Sequence, residues 1–301
     1  MSDKNPIYMQ EGFAGKLVDI IIITILSIMA FITLFPFYNV LIISVARYKD
    51  IIQYPLYIIP RAFDFTAYKL LFMDKLLINS FFVSVGITFS GTALSMFVTT
   101  MAAYALSKKN LPGRNLLFGI VIFTMYFGGG LIPWYLVIKA LGLVNQFAVL
   151  ILPVALNTFY MILMKNYFLT IPESIEESAR IDGANDIYIL YKIIIPTAAP
   201  IIATISLFYA VDRWNDWWMA MLFISSNQKL PLQNILRKVV IESTLELGNA
   251  MANSMRDSQT KIYPKSLQMA TVVVTTVPIL LIYPFVQKHF TKGILLGSIK
   301  A

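Results

Sequence analysis

Ile171-Pro-Glu-Ser-Ile-Glu-Glu-Ser-Ala-Arg-Ile-Asp-Gly183-Ala-Asn185, continuing through Asp186 to Lys192 and then Ile-Ile-Ile-Pro-Thr-Ala-Ala-Pro200, is a polar island in a chain of aliphatic and aromatic residues. Ser174, followed three residues later by Glu177, reads as an N-cap with a capping box, and Asp182-Gly183 reads as a helix stop. A short helix is therefore expected here. A solvated connector would share these features, so its role depends on what surrounds it.

The surroundings are those of a membrane protein. Of 301 residues, 58% are hydrophobic and 13% charged, with a mean hydropathy of +0.71. Soluble domains carry about 25% charged residues, so this chain lacks the polar surface that keeps a globule in water. Apolar runs long enough to cross a bilayer, which takes about 20 residues, occupy 20–46, 76–107, 115–138, 140–165, 193–211 and 266–287. The first is too long for a signal-peptide core and is read as a retained helix kinked at Pro36. The fifth and shortest is extended through Trp217, Trp218 and Leu222, past Asp212, Arg213 and Asp216. The expected fold is thus all-α and integral to the membrane, with six transmembrane helices. Both termini then lie on one side, and the loop bearing Lys108, Lys109 and Arg114 places the island on the cytoplasmic side by the positive-inside rule.

Composition also removes whole classes of chemistry. There is no cysteine and a single histidine, His289, so thiol nucleophiles, His-based triads and Cys/His metal clusters have almost nothing to be built from. No Gly-x-x-x-x-Gly-Lys-[Ser/Thr] phosphate loop is present, so the chain is not itself an ATPase. The net charge of +8 is spread over loops between apolar runs, which suits anionic lipid headgroups better than nucleic acid. A secondary transporter would call for internal repeats and acidic residues deep in the membrane, and Asp212 and Asp216 at a span end serve that poorly.

The island has the spacing Glu177-Ser178-Ala179, three residues, Gly183, nine residues, Ile193, one residue, Ile195-Pro196. It resembles the Glu-Ala-Ala signature of permease subunits of binding-protein-dependent ABC importers, with Ser178 for Ala and Ile195 for Leu as departures. Met125 to Pro133, with its triplet Gly128-Gly129-Gly130, the cluster Arg213-Trp-Asn-Asp-Trp217 and the tail from Tyr283 to Gly297 are similar to the carbohydrate branch of that maltose-type superfamily, most of all to LplC-type permeases. The resemblance implies a type I importer permease domain over 76–290, preceded by a tail, first helix and loop over 1–75 and followed by a cytoplasmic tail over 291–301. It implies a second homologous permease subunit, two cytoplasmic ATP-binding subunits that hold ATP and Mg, an extracellular solute-binding lipoprotein and an oligosaccharide cargo. No cofactor is implied for this chain. Peptides or other small molecules are the alternative cargo.

It also implies that 172–192 forms a coupling helix docking on an ATPase, with Ser174, Glu176, Glu177, Ser178, Ala179, Asp182, Gly183 and Pro196 as coupling residues. Ile175, Ser178, Ala179 and Asp182 fall at i, i+3, i+4 and i+7, one face of a helix. Sugars stack on aromatic rings and bond to amides and carboxylates, so Tyr126, Gly129, Trp134, Asn157, Tyr160, Trp214, Asn215 and Trp218 are candidate pathway residues. Ion pairing of Arg213 with Asp212 or Asp216 beside interfacial tryptophans is the plainer reading of that cluster. Asn249 and Asn253, in the polar loop 225–265, are candidate contacts for the binding protein. In maltose-type relatives the tail touches the ATPases, which would involve Lys288, Lys292 and Lys300. Gly183→Asp or Glu177→Lys is expected to uncouple transport from ATP hydrolysis without blocking membrane insertion. Uptake and ATPase assays on reconstituted complex check this, and unchanged coupling in both variants would refute it.

Overall fold

The computed structural model describes residues 13–53, 58–60, 62–241 and 265–281. Among these, every regular element is a helix, and an isolated antiparallel bridge joins Ala46 and Phe63. The chain divides into two compact units, residues 1–70 with 243–273 and residues 71–242 with 274–301. The first holds α1 (Phe13–Ser44, with Pro36 inside it) and α2 (Tyr48–Gln53). It also contains the start of α3 (Thr66–Met73). The Ser44 and Tyr68 hydroxyls meet at 2.8 Å. The hydroxyl and then the backbone N–H of Thr66 bond to Asp64, and these bonds hold its carboxyl below the usual aspartate range.

The second unit is organised on α4 (Lys75–Ser107), whose first turn is capped by Asp74 Oδ1 accepting from Leu76 N–H at 2.8 Å. Its buried face is mostly small, with Ser80, Ser84, Gly91, Ser95, Thr99, Ala103 and Ser107 set among the larger Leu77, Ile87, Tyr104 and Leu106. Lipid tails are as apolar as leucine, so helices in a bilayer associate by close packing and hydrogen bonds rather than by the hydrophobic effect, and small residues permit the approach. Onto this face pack α7 (Thr158–Phe168) and α10 (Ala199–Asn215), and α7 in turn packs on α5 (Arg114–Tyr126).

The run 76–107 is one helix, as expected, but three other apolar runs are broken. The third bends by 115° between α5 and α6 (Leu131–Ala140). The glycine triplet lies in this break, where Gly130 takes φ 88° and ψ 167°, a conformation open essentially only to glycine. The fourth run forms a turn at 141–146, two 3₁₀ turns (Phe147–Leu150 and Leu152–Val154), and then α7 at 48°. In the fifth, α9 (Asp186–Thr197) includes a π-turn at Leu190–Ile194 and meets α10 at 88°, with Ala198 buried at the elbow. The expected extension past Asp216 does not occur as one helix. Asp216 Oδ1 accepts from the N–H groups of Trp218 (2.9 Å) and Met219 (3.3 Å) and starts a new helix, α11 (Trp218–Phe223). Next come α12 (232–241) and α13 (Lys265–Leu281). Among the described residues, α1 and α4 are each long and apolar enough to cross a membrane, and counting each bent pair as one span brings the total to five.

Arg213 explains the broken fourth run. It is 6% exposed, donates to the carbonyls of Leu150 (3.3 Å) and Val154, and reaches Ser95 Oγ on α4 at 3.0 Å. Leu150 and Val154 end the two 3₁₀ turns, so the guanidinium satisfies carbonyls that have no helical partner. Gly91 makes room for it, because a Cβ there would sit 3.1 Å from Arg213 Nε and 3.2 Å from Cδ. Gly91→Val is expected to cost about 1–3 kcal/mol by overpacking. Gly86→Val, one turn earlier in open space, should be tolerated. Thermal unfolding of the two variants in detergent, compared with the parent, checks the contrast.

Candidate functional site

The island folds as α8 (Glu173–Ile181). Pro172, not Ser174, is the N-cap and contributes no side-chain bond. The expected capping box is absent because Pro172, whose ring pre-sets φ, starts the helix earlier and leaves Ser174 within the first turn. There its carbonyl accepts from Ser178 Oγ at 2.9 Å. The helix stop falls where expected. Gly183 has φ 83°, its N–H bonds to Arg180 O (3.0 Å), and the Ala184 N–H reaches back to Ala179 O (2.9 Å). This pair of bonds is a Schellman cap, which requires a left-handed residue at Gly183.

Of the expected face, Ile175, Ser178 and Asp182 are exposed and Ala179 is turned inward. Ala179 packs inward with Ile171 and Ala184 on a core of Tyr104, Phe168 and Ile189, so it is not on the exposed surface with Ser178. Glu176 also turns inward and pairs with Lys108, whose Nζ lies 3.9 Å from the Tyr104 ring centroid. Lys109 pairs with Glu173 at 2.7 Å, and Arg180 pairs with Asp186. The exposed surface of the helix includes Ser174, Ile175, Glu177, Ser178 and Ile181, with Ile181 86% exposed. Asp182 and Gly183 are exposed at its end, and Pro196 lies in the last turn of α9, ahead of the elbow. A cleft of about 720 Å³ between α8 and the segment after α4 is lined by Lys108, Lys109, Pro112, Phe168, Glu173 and Glu177. The Lys109 ammonium holds the Glu173 carboxyl below the usual glutamate range, by hydrogen bond and then by charge. A depressed carboxyl favours the folded form above its unfolded value and loses that contribution as pH falls through its folded value. The Lys109–Glu173 tie is thus present at neutral pH and lost as the pH falls through the lowered carboxyl value.

A second cleft, of about 460 Å³, lies beside Arg213 and is lined by Asn157, Tyr209, Asp212, Asn215 and Asp216. Tyr160 joins it by donating its hydroxyl to Asp212 Oδ2 at 2.9 Å. The Asn157 side chain caps α7 by accepting from the N–H groups of Phe159 and Tyr160 (3.0 and 3.2 Å). Its own N–H donates to Tyr209 OH (3.0 Å), which shares a 2.6 Å hydrogen bond with Thr99 on α4. The expected Arg213–Asp pair is absent, because Arg213 is taken by carbonyls and Ser95, Asp212 by Tyr160 and Asp216 by the start of α11.

Of the candidate pathway residues, Asn157, Tyr160 and Asn215 meet at this cleft. Trp214 does not. It is buried, donates Nε1–H to Thr275 O at 3.2 Å and stands edge-on to Phe81. Trp134 packs on Phe223 in the core at the other end of α4. Trp218 is exposed against Trp217, Tyr126 is 79% exposed at the end of α5, and Gly129 lies in the α5–α6 break. The polar loop opens with a 3₁₀ turn at Asn227–Lys229 followed by α12, whose Arg237 lies over the Trp217 ring at 3.8 Å. Asn249, Asn253 and the lysines of the tail lie outside the described residues. Sequence reasoning did not register Thr99 and Tyr209, the pairing of Lys108 and Lys109 with α8, or the bond from Tyr160 to Asp212. The available hint was opposite charge in two segments on the same side, Lys108-Lys109 and Glu173 to Glu177.

No protein-family model matches the chain. It is 44% identical over 286 residues, covering 95% of its length and 99% of the relative, to the polygalacturonan/rhamnogalacturonan transport system permease protein YtcP of Bacillus subtilis (strain 168). It is 43% identical over 294 residues, 97% and 98% of the two chains, to the protein LplC of the same organism. A chain in the crystal structure of a bacterial ABC transporter involved in the import of the acidic polysaccharide alginate superposes with a TM-score of 0.85 at 33% identity, covering 95% of this chain and 100% of that one. The chain belongs to the permease subunits of ABC importers, in their carbohydrate branch.

Proposed function

We propose that this chain forms half of the translocation pore of an ATP-driven oligosaccharide importer and that α8 is the element through which a cytoplasmic ATPase moves it. One observation carries the reading. An exposed helix with a Schellman cap is joined by two ion pairs and a packed face to the end of the longest helix of the second unit.

A push on the exposed face of α8 would pass to α4 through Lys108–Glu176, Lys109–Glu173 and Ala179. From α4 it reaches the cleft through Thr99, Tyr209 and Asn157, a hydrogen-bonded line that ends at the N-terminus of α7. Asn157, Asn215 and Asp212 there present amide and carboxylate groups suited to sugar hydroxyls, and Tyr160 presents an aromatic ring.

The full reading has six spans, both termini in the cytoplasm of a bacterial cell, a second homologous permease closing the pore, two ATP-binding subunits beneath it and a binding lipoprotein outside. ATP and Mg belong to the ATPase subunits. The cargo class rests on relatives named for polygalacturonan/rhamnogalacturonan and alginate.

In proteoliposomes containing the four-subunit complex and its binding protein, uptake of labelled oligosaccharide should require ATP and survive a protonophore. Lys108→Glu or Glu176→Lys should lower uptake per ATP hydrolysed roughly fivefold, equivalent to about 1 kcal/mol of pair coupling, and the double exchange should restore it. Uptake without ATP would refute the importer reading, and a double variant no better than either single one would refute the tie.

A further inference from the structure

Arg237, exposed on α12, lays its guanidinium over the Trp217 ring, with Cζ 3.8 Å from the ring centre. Stacking uses the face of a guanidinium and leaves its N–H donors open in the plane. Among the described residues, no hydrogen bond or ion pair takes those donors up. The neighbouring lysines differ, since Lys229 donates to Asn145 O at 2.6 Å and Lys238 to Asn227 Oδ1 at 2.9 Å. Arg237 is thus a cation held against a ring with its hydrogen-bonding edge unused.

The same side of α12 is tied to the cleft beside Arg213. Gln233, one turn before Arg237, reaches Asn215 Oδ1 at 3.4 Å, and Asn234 donates to Trp217 O at 3.0 Å. Asn215 and Asp216 line that cleft, and its volume is about 460 Å³, within the range of small-molecule sites, about 300–1,000 Å³. Arg237 therefore stands beside the wall that Asn215 and Asp216 form. Charge is divided across this wall. The cleft holds the Asp212 carboxylate with the amides of Asn157 and Asn215, while its own cation, Arg213, is turned to the carbonyls of Leu150 and Val154. A carboxylate on the cargo would be repelled by Asp212 and drawn to Arg237, whose fork fits it through two parallel N–H···O bonds.

We propose that Arg237 pairs with the carboxylate of an acidic sugar, so that the cargo is a uronate-bearing oligosaccharide with its acid at Trp217 and its hydroxyls toward Asn157, Asn215 and Asp212. The assignment rests on the oligosaccharide-permease reading and adds the charge and orientation of the cargo.

The test titrates trigalacturonate, with its fully methyl-esterified form as the neutral control, into the complete importer complex in neutral detergent without ATP or binding protein. Saturation-transfer NMR then reads binding separately from transport. The parent should bind trigalacturonate more tightly than the ester. Arg237→Gln should raise the dissociation constant for trigalacturonate about tenfold, the order of one hydrogen bond to a charged group, and leave that for the ester unchanged. Arg237→Lys, which keeps the charge but not the fork, should fall between them. No trigalacturonate binding by the parent, equal affinity in the parent and Arg237→Gln, or a parent that binds the ester as tightly as the acid would overturn the proposal. Weaker docking of the binding protein on the Arg237→Gln complex, with trigalacturonate binding unchanged, would assign the guanidinium to that protein and equally overturn it. Failure of ATP-driven uptake with the binding preference for the acid intact would support this assignment and strike the importer reading instead.

Discussion

A guanidinium cannot be deprotonated within the protein, so burying Arg213 obliges the surrounding backbone to arrange itself around five N–H donors. Two carbonyls that end 3₁₀ turns, together with Ser95, do this, and the fourth apolar run is broken where it supplies them. Nε stays without a partner against Gly91, a cost of about 1–3 kcal/mol borne by the close packing of α4 on α10. Because the guanidinium hydrogen-bonds to carbonyls and Ser95 rather than to an acid, the Asp212 and Asp216 carboxylates bond elsewhere on the cleft side, to Tyr160 and to the first turn of α11.

The two ends of α4 are treated differently. Near its N-terminus the neighbouring segments are locked together. Ser84 accepts from Leu232 N–H at 2.7 Å, and Asn145, held at φ 60°, accepts from Ser225 and Ser226 N–H and from Lys229. At its C-terminus, by contrast, α4 is joined to α8 by side-chain ion pairs and by small residues packed on a core. α4 is thus anchored at its far end, and α9 meets α10 at 88° with Ala198 buried at the bend. Pro196 and Pro200 flank that bend, and a proline deprives a helix of an N–H donor.

Much of this was legible in the sequence where a local rule acts alone. The length of α4 and the stop at Gly183 follow from apolar run length and from the need for a left-handed residue. The N-terminus of α8 was misread because Ser174 and Glu177 satisfy a spacing rule that the preceding Pro172 overrides. An aromatic residue beside Asn and Asp suits a sugar as well as it suits Phe81, and only the angular position of Trp214 on α10 turns it toward Phe81. Lys108–Glu176, Arg213 with Val154, and Tyr209 with Thr99 join residues far apart in the chain, and no spacing rule registers such pairs.

The central claim is that α8 and the end of α4 move as one body when the ATPases close. The chain has no cysteine, so spin labels can be placed at Ser178 on α8 and Asn110 just beyond α4 without removing native thiols. Distances between them, measured by double electron–electron resonance in the full complex without nucleotide and with ATP bound, should give one unchanged distribution. A distribution that shifts or splits on ATP binding, with the ion-paired residues intact, would contradict the account.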